Sequence, residues 1–106
     1  MTDVRDLAGF NRSLAADAPP ADLSFALKGL WWDAKGDWQK AHECAQAQDD
    51  PTGAWVHAYL HRREGDAQNA AYWYRRAEKP VSSAALDAER TTIIETLLAA
   101  EAGARR

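Results

Sequence analysis

The chain predicts an all-α fold of stacked helical hairpins, with five or six helices in a single domain. Three observations carry that prediction. A phrase is written twice. Ala26-Leu27-Lys28-Gly29-Leu30-Trp31-Trp32 leads into Gly36-Asp37 and Ala41, and 29 residues further on Trp55-Val56-His57-Ala58-Tyr59-Leu60-His61 leads into Gly65-Asp66 and Ala70. A repeat of that length marks stacked helix pairs, in which each unit buries its apolar face only against its neighbours. Apolar residues also recur at helical spacing through most of the 106 residues. Finally, alanine is abundant and β-branched residues are few, which favours helix over strand.

Each element has its own justification. Val4, Leu7, Ala8, Leu14 and Ala15 fall near helical spacing and predict a first helix over 3–16, with Phe10 off the stripe. Pro19-Pro20 ends it, because proline lacks the amide donor and disfavours helical geometry in the residue before it. Leu23, Ala26, Leu27, Leu30, Trp31 and Ala34 form a broad stripe and predict a helix over 21–35. Gly36 supplies the left-handed closure, and Asp37 is the N-cap of a helix over 37–48. Asp50-Pro51, an acidic cap before a first-turn proline, opens a helix over 52–64. Gly65-Asp66 repeats the break. The helix over 66–78 then turns Ala67, Ala70, Tyr74 and Ala77 inward. Ser82 or Ser83 is the expected cap of a last helix over 84–101, whose apolar face is Leu86, Ile93, Ile94, Leu97 and Leu98. That helix should cover the open flank of the last hairpin, and the tail 103–106 should fray. The single domain thus divides into 1–20, 21–51, 52–80 and 81–106.

Composition narrows the function classes. Hydrophobic residues make up 46% and charged residues 27%, values of an ordinary globular chain. The net charge of −3 gives no support to nucleic-acid binding, which normally shows a basic footprint. No apolar run approaches the length of a membrane span, and residues 1–10 lack the apolar core of a secretory signal. One cysteine, Cys44, permits no internal disulfide. The expectation is a cytoplasmic protein that engages neither nucleic acid nor membrane.

On Ala58, Gly65, Asp66, Ala70, Trp73, Tyr74, Ala77 and Pro80, and less fully on Gly29, Trp32, Gly36, Asp37, Trp38, Ala41 and Pro51, the chain resembles the tetratricopeptide-repeat superfamily, in particular its shorter Sel-like branch. The resemblance covers about half the chain. It implies a right-handed superhelix of hairpins and a binding module of unspecified partner. The period of 29 is short of the family's usual 34, and the family's pattern for holding a C-terminal carboxylate is not present. In related repeats the ligand groove is lined by the first helix of each pair. Carried onto this chain, that face includes Leu23, Ala26, Leu30 and Asp33 in the first unit, and Trp55, Tyr59, Arg62 and Arg63 in the second. Trp55, Tyr59 and Arg62 are the expected anchors, because Trp, Tyr and Arg dominate binding hot spots.

One constellation points to other chemistry. His57 and His61, four apart, share a helix face, and His42 comes from the preceding helix. Three imidazoles are a donor set for zinc, nickel or copper. The competing reading, a set of structural or partner-binding histidines stacked on aromatics, is the one the sequence favours, so no metal and no cofactor is expected. Cys44 reads as an inert thiol, since His42 two residues away points elsewhere. The sequence thus predicts a non-catalytic interaction module for a protein or peptide. Two alternatives stand beside it: a small-molecule or metal-binding protein, even an enzyme, built on His42, His57 and His61, and a homo-oligomer whose exposed aromatics meet their own copy.

Overall fold

The computed structural model describes residues 4–104, with side chains to position 101. Six helices form and no strand does among the described residues: α1 (Leu7–Ser13), α2 (Phe25–Ala34), α3 (Trp38–Ala47), α4 (Pro51–Glu64), α5 (Ala67–Arg76) and α6 (Leu86–Ala104). Side-chain caps set five of the starts. Asp6, Ser24, Asp37, Asp50 and Asp66 each accept from the backbone N–H three residues on, at 2.8 to 3.3 Å.

The repeat is legible atom by atom at its turns. Gly36 and Gly65 adopt φ of 85° and 90°, and the aspartates after them share one conformation, near φ −100° and ψ 82°. Gly36 N–H donates to Asp33 and Asp37 N–H to Trp32. Gly65 donates to Arg62 and Asp66 to His61 in the same way. A Cβ at either glycine would meet nothing, so only the left-handed backbone requires the residue type. The pairs α2/α3 and α4/α5 formed at these turns lie side by side through α3 and α4. Trp38 Nε1–H donates to the Leu60 carbonyl across that seam, at 3.0 Å.

Helix α6 packs on α1, α2 and α4. Its Ile93, Ile94, Leu97 and Leu98 join Leu23, Ala26, Leu27, Leu30 and Trp31 of the α2 region, Val56, Tyr59 and Leu60 of α4, and Phe10 of α1 in one core. A smaller cluster, Ala58, Ala70 and Tyr74, sits between α4 and α5, with Trp55 and Trp73 against it. Three polar networks thread the packing. Trp31 donates to Ser13 at 3.1 Å, and Tyr59 donates to Asp33, which also pairs with Arg63. Glu89 receives both Arg62 and the Tyr74 hydroxyl.

Five expectations are corrected. The first helix is two turns rather than a span from 3 to 16, because Asp6 caps it and the chain turns after Ser13; position 3 lies outside the described residues. Phe10, expected off the buried stripe, is fully buried, and Ala8 and Ala15 are exposed. The short helix docks by Gly9, Phe10 and Ser13, a different face from the one the spacing suggested. Ser82 and Ser83 do not cap α6. Its first backbone acceptor is Ala85, and Ser82 instead accepts from Ala84 N–H. Ala67 faces outward, and α6 continues through Gly103 to Ala104; Arg105-Arg106 lie outside the described residues.

Candidate functional site

The expected groove is closed. Leu23, Ala26, Leu30 and Asp33 are all buried, and Tyr59 has no exposed surface. The cause is α6, whose apolar face occupies the space that a bound segment would take between α2 and α4. Tyr59 is therefore a core residue and not an anchor. Burial, with Asp33 beside it, pushes its hydroxyl up to about 12. Trp55 is half-buried, packs against both clusters and lies under the Lys79 ammonium, 4.4 Å from its centroid. The two arginines are engaged within the chain. Arg62 bonds Glu89 at 2.8 Å and the Ala84 carbonyl, while Arg63 bonds Asp33 at 3.1 Å. Burial raises the Asp33 carboxyl and the Arg63 charge opposes it.

The histidines converge. His42 Nε2 lies 2.8 Å from His57 Nε2, and a ring nitrogen of each of His42, His57 and His61 lies within 4.8 Å of the others. Each ring is oriented from outside the trio. His42 stacks on Trp38 at 4.8 Å and 16°, one helical turn away, and His57 on Trp73 at 3.8 Å and 13°. His61 bonds Glu64 through Nδ1 at 2.6 Å. His57 and His61 are 3% and 7% exposed, and His42 is half-buried. Burial, reinforced by the neighbouring His42 and His61, pushes His57 down to about 3, and burial followed by His61 lowers His42. Both rings are neutral at physiological pH.

The stack reaches the surface through α5. Trp73 covers His57, and the Arg76 guanidinium lies 5.3 Å from the Trp73 ring and 5.8 Å from Tyr72. Arg76 also donates to the Tyr72 hydroxyl at 3.2 Å. Tyr72 is 43% exposed, a large exposure for an aromatic, and Arg75 and Lys79 are exposed on the same stretch. A cavity of about 200 Å³ opens beside Trp73 and Arg76, with His57, Asp49 and Asp50 also on its wall. Cys44 is partly buried, and burial pushes its thiol up, away from the nucleophilic thiolate.

Sequence spacing set His57 and His61 on one helix face and left the approach of His42 open; the fold brings all three together. Of the four residues expected on an open face, Tyr59 is fully buried, Trp55 and Arg62 are half-buried, and Arg63 is exposed yet paired with Asp33. Glu64 was missed as a partner of His61, although their separation of three was a readable signal. Glu89, the buried partner of Arg62, carried no local signal. No family model matches the chain, and no curated protein or solved structure does. No helix of the described residues is long and apolar enough to cross a membrane.

Proposed function

We propose that the protein is a small, non-catalytic interaction module that docks an acidic segment of a partner protein on the outer face of α5. The observation that carries this reading is the pair Tyr72 and Arg76, exposed beside the half-buried Trp73 although the core is complete without Tyr72. Aromatic residues and arginine are the types that dominate binding hot spots. Arg75, Arg76 and Lys79 make this stretch locally basic on a chain of net charge −3, so complementarity selects an acidic partner. Asp49, 3.9 Å from Arg76 and itself fully solvated, already reaches this face as an acidic partner would. The reading takes the hairpin stack as tetratricopeptide-like and the setting as cytoplasmic, on the quoted repeat residues and the lone cysteine.

A photo-crosslinking amino acid at position 72, with a control at the exposed Ala88 of α6, tests it in living cells. The expected result is a heteromeric adduct from position 72 and none from position 88. Arg76→Ala should weaken that adduct and raised salt should remove it. Equal adducts from both positions would refute the docking face. A product of twice the chain's mass would replace the foreign partner with a second copy.

A further inference from the structure

We propose that His42, His57 and His61 form a binding site for one late first-row divalent cation of the zinc and nickel class. The proposal stands apart from the docking face of α5, since it concerns the inner end of the ring stack.

Two imidazole Nε2 atoms 2.8 Å apart share a single proton, because a hydrogen bond between neutral rings needs one donor and one acceptor. Glu64 engages Nδ1 of His61, so Nε2 is the nitrogen of that ring left to ligate a cation. One proton thus serves the two facing nitrogens of His42 and His57. A cation placed between them can engage both rings and the third beside them, which a single hydrogen bond cannot. Imidazole as the sole donor type selects zinc, nickel or copper over magnesium or calcium, which require oxygen.

The geometry is close to what coordination asks. Nitrogens bound at about 2.0–2.1 Å in a tetrahedral site lie roughly 3.3 Å from one another. The His42–His57 pair must open by about half an ångström from its 2.8 Å hydrogen bond, and the third nitrogen starts within 4.8 Å. His42, the half-buried member, is the ring with room to move. The other two are held by groups outside the coordination sphere, His57 by Trp73 and His61 by Glu64. A carboxylate behind a ligating histidine is the usual way to fix its tautomer and strengthen its donation. Three protein ligands leave a fourth tetrahedral position for water or another ligand. A purely packed aromatic cluster would explain the stacking, yet it would not require two Nε2 atoms to face each other with a third ring alongside.

The same His61 also neighbours Glu64 and Asp66, whose ligand atoms fall within 4.8 Å of its own on the solvent side. The experiment must separate that outer set from the inner one. Cobalt(II) titrated into the untagged full chain reports coordination directly, through the intense visible bands of a four-coordinate ion. We expect one equivalent bound, displaced by zinc, with zinc also raising the melting temperature. His42→Phe keeps a ring over Trp38 at a half-buried position and should lower affinity at least 100-fold while the helical signal persists. Glu64→Gln, at the surface, should weaken binding by roughly 10–100-fold. Asp66→Asn should leave the bands unchanged. Absence of four-coordinate bands in the wild type, or their survival in His42→Phe, overturns the proposal. Loss in Asp66→Asn with retention in His42→Phe also overturns it and assigns the ion to the outer set.

Discussion

Gly65, one past the end of α4, and Glu78, two past the end of α5, both take a left-handed backbone and carry opposite residue types. Gly65 has φ of 90° and no neighbour within reach of a Cβ, so Gly65→Ala should destabilise by roughly 1 kcal/mol from backbone strain alone. Glu78 holds φ of 59° with a side chain present, after Ala77 and Lys79 close the end of α5 through the Trp73 and Tyr74 carbonyls. Glu78→Gly should therefore raise stability, by up to about 1 kcal/mol. Paired urea melts measure both. The turn at Gly36 and Gly65 was readable because glycine followed by aspartate carries both signals locally: the one residue type at ease with positive φ, then a good N-cap. Glu78 gave no such signal. The same kind of local hydrogen bonds closes α5 there, from Glu78 N–H to Arg75 and Lys79 N–H to Tyr74, but on a residue type that does not announce a positive φ.

Helix α6 changes the meaning of the hairpins that precede it. Its apolar residues were visible as Leu86, Ile93, Ile94, Leu97 and Leu98, and so was its covering role. The face it covers was not visible, because periodicity says that a helix has an apolar side and not which surface receives it. The outcome is that it fills the inner surface of α2 and α4 instead of shielding only the last hairpin. The buried Glu89 is the polar part of that choice. It gathers Arg62 of α4 and Tyr74 of α5 at one point, and burial, with Glu89 beside it, raises the Tyr74 hydroxyl. Glu89→Ala leaves a mostly buried guanidinium and a buried hydroxyl without that acceptor. It should cost about 3 kcal/mol by denaturant melts, the low end of the range for a broken buried pair because Arg62 keeps some access to water. A loss below about 0.5 kcal/mol would show that the network contributes nothing to docking α6.

The molecule as a whole couples a tightly closed interior to an aromatic stack that runs outward through α5. Acid should open it from the histidine end. His57 is held near 3 in the folded chain against 6.5 when unfolded, so the unfolded state binds its proton first. Its contribution to stability is complete above about pH 6.5 and is lost progressively as pH falls towards 3, with His42 adding to the loss in the same direction. In chelator, His57→Phe keeps a ring on Trp73 and should show a flatter acid limb than the wild type. Equal limbs would mean that His57 is already solvated in the folded state.

The approach of His42 waited on how α3 packs against α4, whereas the shared helix face of His57 and His61 was legible in the sequence. The division of aromatics into core and surface was not, because the two classes share one composition and differ only in what α6 covers. Tyr59 and Tyr72 embody that division, and thermal melts of Tyr59→Ala and Tyr72→Ala, run side by side, test it most directly. Tyr59 is fully enclosed and bonded to Asp33, so its truncation should cost about 3–5 kcal/mol and broaden or abolish the transition. Tyr72 is nearly half exposed, so its truncation should stay within about 0.5 kcal/mol of the wild type. A stable, cooperative Tyr59→Ala beside an unfolded Tyr72→Ala would contradict both the closed groove and the outward face of α5.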